Sequence, residues 1–264
     1  MNIAVCMKPV PDPGHYHRIT INPATKLLER KGIPTIINPV DKNAIEAALQ
    51  LKEQLGGKVV LVSMAPPDAG ETLIEGLAMG ADGAYLLSDR AFAGADTLAT
   101  ARVLASGLKK IEGLDLVLTG SESADGGTNH IPSQLGELMG FAHLNHVTEL
   151  NLEVSTIKIK TKIENGYVEY QGSLPLVLGV ARELNTPRYT TLMGVVMARN
   201  KPFTTWGPGD LGLDPANTGL AGSPTQPGDL HMPQHGRKAE LLAGDPADMA
   251  GKIVAILRNA GVLA

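Results

Sequence analysis

The stretch Asp115-Leu-Val-Leu-Thr-Gly-Ser-Glu-Ser-Ala-Asp-Gly-Gly-Thr-Asn-His-Ile131 decides the fold. Asp115 to Thr119 reads as a buried strand, which runs into a loop of small polar residues and then into a helix. An open parallel sheet holds a nucleotide at such a junction. Gly120, Gly126 and Gly127 let backbone approach a ligand closely, Ser121, Ser123 and Thr128 bring hydroxyls, and the amides at the following helix start can face a phosphate. Glu122, Ala124, Asp125, Asn129, His130 and Ile131 complete the candidate loop. Taken alone, the same residues also describe an ordinary strand-to-helix turn with glycine there for geometry. The remainder of the chain has to decide between the two.

Upstream, strand and helix patterns alternate. Ile3–Met7 reads as a buried strand, Arg18–Ile37 as a hairpin-like excursion, and Asp41 opens a helix whose Ile45, Ala48, Leu49 and Leu55 share a face until Gly56-Gly57 stops it. Lys58–Met64 is a second strand, Asp68 to Glu71 has the spacing of a capping box for a helix reaching Met79, Ala84–Leu87 is a third strand, and Asp96 caps a helix that precedes Asp115. Continuous apolar strands joined by helices mean an α/β fold: an open, mostly parallel sheet with helices on both faces, Rossmann-like and suited to adenine nucleotides. In such folds ligands sit at the carboxyl ends of the strands, where Cys6-Met7-Lys8, Asn38 to Asp41, Ser63 to Pro66, Ser88 to Thr100 and Gly120 to Ile131 all fall.

After residue 142 the pattern changes. His143–Leu152, Val154–Ile163, Tyr167–Gln171 and Leu174–Arg182 are strand-like, with Glu164-Asn165-Gly166 as a hairpin turn, so antiparallel strands are expected to extend the sheet. From Trp206 to about Gly244 prolines and glycines interleave with little apolar periodicity. A run of that length inside a compact domain is improbable, and the amphipathic Ala247–Leu263 that follows favours a C-terminal arm laid on another subunit. The expected organisation is therefore a nucleotide-binding domain over 1–206 and an arm with its helix over 207–264.

Composition excludes several functions. The 264 residues carry a net charge of −4, which advertises neither nucleic acid nor anionic lipid, and no apolar run reaches the length of a membrane span. Met1-Asn-Ile-Ala-Val lacks the regions of a signal peptide and Cys6 is the single cysteine, so a cytoplasmic protein without a disulfide framework is expected. There is no P-loop, no Gly-x-Gly-x-x-Gly after a strand, no His-Glu-x-x-His and no Gly-x-Ser-x-Gly, so no catalytic residue and no metal site is assigned. Cys6, on a buried strand, reads as a small core residue rather than a nucleophile.

Six ordered motifs then carry a resemblance that spans essentially the whole chain. They are Lys8-Pro-Val-Pro-Asp12, Asn38-Pro39 with the helix pattern Asp-x-x-Ala-Ile-Glu-x-Ala-Leu-x-Leu-Lys, Ala78-Met-Gly-Ala-Asp82, Ser88-Asp-Arg-Ala-Phe-Ala-Gly-Ala-Asp-Thr-Leu-Ala-Thr100, Asn185-Thr-Pro-Arg-Tyr-Thr-Thr-Leu192 and Gly222-Ser-Pro-Thr-Gln226. Together they resemble the β subunit of electron transfer flavoprotein, and the run from Ser88 resembles the FAD-containing, electron-bifurcating group more than the AMP-containing carriers.

The resemblance implies a heterodimer with an α subunit, acting within an oxidoreductase complex rather than as an enzyme alone. The implied cofactor is FAD, with AMP in the same site as the alternative. Electrons would pass between NAD(H), a ferredoxin-type acceptor and a partner flavin-dependent dehydrogenase. Carried over by position, the implied site comprises Cys6, Asn38, Asp41, Met64, Asp96, Thr97, Thr100 and the loop Gly120 to Ile131. Leu192 and Met193, expected on an exposed loop bracketed by Pro187 and Gly194, are the implied anchor for the dehydrogenase. One departure stands out: family members usually have Gln, a small residue and Gly where this chain has His130-Ile131-Pro132, and Pro132 removes an amide donor. The competing class, an adenosine-sensing regulatory module of similar architecture, would have no use for the second-half strands and the arm. An ATP-consuming synthetase half-domain would need a Ser-Gly-Gly-x-Asp-Ser loop where this chain has Lys8 to Asp12.

Overall fold

The computed structural model describes residues 1–263 apart from 19, 22–27, 30–31, 154–155, 227 and 229–238. In chain order the elements are β1 (Asn2–Cys6), β2 (Pro9–Pro11), β3 (Thr20–Ile21), β4 (Leu28–Glu29), β5 (Thr35–Ile37), α1 (Pro39–Leu55), β6 (Lys58–Met64), α2 (Gly70–Met79), β7 (Gly83–Leu87), α3 (Thr97–Lys109), β8 (Leu116–Gly120) and α4 (Ile131–Met139). There follow β9 (Ala142–Glu153), β10 (Thr156–Ile163), β11 (Gly166–Gly172), β12 (Leu176–Val180), α5 (Leu192–Ala198), β13 (Phe203–Trp206), α6 (Pro208–Leu211) and α7 (Pro246–Asn259). Two compact units divide at Gly228/Asp229, the second containing α7. The hairpin-like excursion expected between Arg18 and Ile37 falls partly outside the described residues; within them β3 pairs with β4 and β5 with β2.

The first unit is built on a nine-stranded sheet in the order β11-β10-β9-β12-β8-β1-β6-β7-β13. From β1 the chain adds β6 and β7 on one side, then returns to place β8 on the other side. The gap between β1 and β8 is therefore the switch point of the sheet, where an open α/β fold leaves a crevice at its carboxyl edge. Because side chains alternate across a strand, Ile3 and Val5 of β1 enter one core with Leu61 and α1, while Ala4 and Cys6 enter the other with Val62 and α3. Burial on both faces explains why these strands read as unbroken apolar runs.

The expectation of antiparallel completion holds in part. β10 runs antiparallel to β9 and β11, but β12 inserts between β9 and β8 and pairs parallel with both. Leu176 to Val180 are buried throughout, which is the signature of a central parallel strand rather than a half-exposed antiparallel one. Two local expectations also differ. Asp68 does not cap α2, which starts at Gly70 with no side-chain cap, and β13, a four-residue parallel edge strand beside β7, is a strand that the sequence reading does not include.

Candidate functional site

A cavity of about 550 Å³ opens at the carboxyl ends of β1, β6 and β8. Its size suits a cofactor-scale ligand. β1 brings Cys6 and, just beyond it, Met7 and Lys8; β6 brings Met64; α1 brings Asn38 at its start and Asp41 in its first turn; α3 brings Thr97, Thr100 and Leu104; and the loop from Gly120 to Ile131 forms the opposite wall. Among the residues anticipated from the sequence, Ala124, Asp125 and Gly127 do not line the cavity, whereas the others of that set do. Asp125 stands behind the lining, 2.6 Å from the Lys8 ammonium, which is also 3.4 Å from Ser123 Oγ.

Asp41 lines the cavity and also braces its frame. It is 5% exposed, and its two carboxylate oxygens are occupied by the chain itself: Oδ2 accepts from Lys8 N at 2.7 Å, and Oδ1 from Gly120 N at 2.9 Å and Asn38 Nδ2 at 3.0 Å. One side chain thus pins the exits of β1 and β8 to the start of α1. Asn38 extends the staple, donating to Glu122 O at 2.8 Å and accepting from Ala124 N at 3.0 Å. Only glycine fits at 120, since a Cβ there would lie 2.3 Å from Asp41 Oδ1. Burial pushes the Asp41 carboxyl up from 3.8 to about 7, against the pull of the donors from Lys8, Asn38 and Gly120 and of the Lys8 charge. Burial, with Asp41 beside it, likewise drives the Cys6 thiol far above its usual range, so Cys6 is wall and not nucleophile.

The anion-binding capacity comes from backbone. α3 and α4 both begin at the cavity; the first amides of α3 are taken up by its Asp96 cap, so it is the start of α4 with the loop before it that presents amides and a positive dipole end to the cavity. Asn129, in the left-handed region at φ 59°, turns the loop into α4. The amides of Thr128, Asn129 and His130 meet no acceptor among the described residues. Pro132, at the second position of α4, contributes none. These features fit a phosphate-bearing nucleotide, and the apolar lining of Met64, Phe92, Leu104 and Ile131 fits a flat aromatic ring system beside it.

Sequence reasoning missed Phe92, Gly94, Ala95, Leu104, Thr119 and Thr225 as lining residues, and gave Met7 and Lys8 only as part of a strand exit. The segment that supplies Phe92 to Ala95 had been singled out, but a local pattern does not say which of its side chains turns inward. Thr225 arrives from far along the chain and had no signal beyond its motif.

Leu192 and Met193 lie on the first turn of α5 rather than on a loop, 84% and 66% exposed. Thr191 caps the turn by accepting from Gly194 N at 3.0 Å. Tyr189, Val196 and Met197 extend the exposed apolar surface. The preceding segment is fixed to α1: Arg188 pairs with Glu46 at 2.7 Å and Glu53 at 2.6 Å, and Asn43 donates to Asn185 O at 2.7 Å.

Sheet order and switch-point cavity define an open, mostly parallel α/β protein with a cofactor-sized cavity at the carboxyl ends of its strands. Comparison with known proteins carries this further. Residues 25–210 match the electron transfer flavoprotein domain. Over all of both chains the sequence is 40% identical to the caffeyl-CoA reductase-Etf complex subunit CarD of Acetobacterium woodii. It is 43% identical to the electron transfer flavoprotein subunit beta of Clostridium acetobutylicum, over 86% of each chain. It is 37% identical to protein FixA of Azorhizobium caulinodans, over 85% of this chain and 82% of the other. The chain belongs to the electron transfer flavoprotein family, among its β subunits.

Proposed function

We propose that the chain is the β subunit of an electron transfer flavoprotein heterodimer and that its cavity holds FAD. In this reading electrons pass between NAD(H), a ferredoxin-type acceptor and a partner flavin-dependent dehydrogenase. The observation that carries the reading is the cavity of about 550 Å³ between the starts of α3 and α4, which has room for more than a mononucleotide. A relative named as part of a reductase-Etf complex supports the dehydrogenase partner.

When bound, the flavin supplies the redox chemistry, accepting a hydride and giving up single electrons. The chain's own residues bind and orient it. The amides from Thr128 to His130 would meet the diphosphate, and the Asn38–Asp41 staple would hold the loop 120–124 at the distance this requires. Lys8 would balance phosphate charge from the β1 exit. Glycine and alanine at 94 and 95 would let the wall approach the ring system closely, and Phe92, Met64 and Leu104 would exclude water from it. No side chain here is assigned proton transfer or nucleophilic attack.

The test is the cofactor content of the heterodimer purified with its α subunit. Acid extraction should release two FAD per heterodimer and no AMP. One FAD with one AMP would instead make the chain the subunit of a simple electron carrier.

A further inference from the structure

The wall of the cavity formed by residues 91–96 is held from outside by a segment from the other end of the first unit. Thr218 Oγ1 donates to Ala91 O at 3.0 Å and Leu220 N to Ala93 O at 2.9 Å. Asp96 N donates to Ser223 Oγ at 2.8 Å, and that hydroxyl in turn donates to Gly219 O at 2.6 Å. Thr218 and Ser223 are 3% and 6% exposed, so these are fully desolvated bonds on polar groups that have been given partners. The fit is close enough to require glycine at 219: its φ is +54° and a Cβ would lie 2.2 Å from Ala91 O. The strap then reaches the cavity, where Thr225 joins the lining.

Asp96 stands at the junction. Its Oδ1 accepts from Ala99 N at 2.9 Å and caps α3, while its Oδ2 accepts from Thr225 N at 2.9 Å. Burial alone would raise its carboxyl, yet the amides of Ala99 and Thr225 and the Thr225 hydroxyl hold it below the usual carboxylate range. Within the wall Phe92 is packed into the core, while Ala91, Ala93, Gly94 and Ala95 carry no side chain that could anchor the rest. Three residues beyond Thr225 the compact unit ends at Gly228, so the strap is also the point through which residues 229–264 are tethered to the first unit.

We propose that Asp96 is a positioning residue that seats residues 215–226 as a strap against the cavity wall, making retention of the bound nucleotide and seating of the strap one equilibrium. A ligand packed on Gly94 to Thr97 orders the wall that the strap grips, and a seated strap lowers the cost of ordering that wall for the ligand. The coupling is reciprocal by thermodynamic necessity. The proposal rests on the preceding reading only in that the cavity takes an adenine nucleotide, and it holds for FAD or AMP alike.

Three variants in the heterodimer release the strap from different sides. Asp96→Asn keeps an oxygen for the Ala99 amide but turns an NH₂ toward the Thr225 amide. Ser223→Ala removes the hydroxyl between Asp96 N and Gly219 O, and Gly219→Ala pushes the strap off Ala91. Each should speed FAD release on dilution, read as the return of flavin fluorescence, by about tenfold, the scale of one hydrogen bond to a charged group. Asp96→Asn combined with Ser223→Ala should be no faster than either alone, because one released strap cannot be released again. Added AMP should slow hydrogen exchange at the Leu220 and Thr225 amides of the unmodified protein and not in Asp96→Asn, which reads the strap whichever nucleotide is resident. Additive effects in the double variant, or release rates unchanged by Ser223→Ala and Gly219→Ala, would overturn the coupling. Failure of the FAD reading would show separately, in the extract of the unmodified complex.

Discussion

At the scale of single residues, Asp41 is the clearest case of a side chain whose role the sequence conceals. Aspartate in the first turn of a helix reads as a capping or dipole-compensating residue, and its position in the nucleotide pattern reads as a ligand contact. Its three donors come from Lys8, Gly120 and Asn38, so it is also a brace between strand exits. Its titration gives a test of that burial. The folded carboxyl titrates near 7 and the unfolded one near 3.8, so between these values the native state keeps a proton that the unfolded state has lost. Stability from this group is therefore greatest below about pH 4 and declines as pH rises to about 7, beyond which it is level. Melting temperatures of the nucleotide-free chain and of Asp41→Asn should differ in pH slope across that window, with the variant lacking the decline. Parallel curves would show that Asp41 is ionised throughout and that its donors outweigh its burial. The loop Gly120 to Ile131 was legible because its composition and its place after a strand are both local. Two of Asp41's partners are not, since Lys8 and Gly120 come from the exits of β1 and β8, which only the folded sheet brings to the start of α1.

At the scale of elements, the alternation of β1, α1, β6, α2, β7, α3 and β8 was legible from period, with boundaries off by a residue or two, whereas the pairing of β2 with β5 and the uncapped start of α2 were not. β12 was legible as a strand but not as a parallel one, because pairing direction depends on the chain's path through β9 to β11 and not on the residues of Leu176 to Val180. The union of α1 with the segment before α5 was not legible at all. Glu46 looks like a surface residue on a helix face, yet its side chain is 5% exposed and faces Arg188. Burial would raise its carboxyl, and the hydrogen bonds from Arg188 bring it below its usual range. Arg188→Met would strand that carboxylate. Because Arg188 is itself a third exposed, the loss should be about 2 kcal/mol rather than the full penalty of a buried broken pair. Denaturant unfolding of Arg188→Met, and of Arg188→Met with Glu46→Gln, measures this: the second change should restore part of the stability. If it lowers stability further, Glu46 is held by Gln50 and solvent and not by the arginine.

At the scale of the whole molecule, the distribution of exposed apolar side chains marks where the chain is incomplete. In the second unit α7 buries none of its residues, and Ile253, Val254 and Ile256 are exposed. In the first unit exposed apolar residues gather at Leu192, Met193, Val196 and Met197, on a short helix whose Ala198 alone is buried, and at Tyr189 just before it. Leucine and methionine are more often core than surface, so the sequence by itself leaves both readings of Leu192 open. At 84% exposure its removal takes little packing from the fold, whereas a partner that received it in an apolar pocket would lose a central contact. Such an anchor is worth about 2 kcal/mol, or roughly thirtyfold in affinity. Leu192→Ala should therefore weaken electron transfer to the dehydrogenase by that factor while flavin content, melting temperature and NADH reduction of the isolated heterodimer stay nearly constant. Titration of the dehydrogenase against wild type and variant reads the affinity directly. A large fall in melting temperature with unaltered titration would mean that Leu192 is covered within the heterodimer, and that the dehydrogenase docks elsewhere.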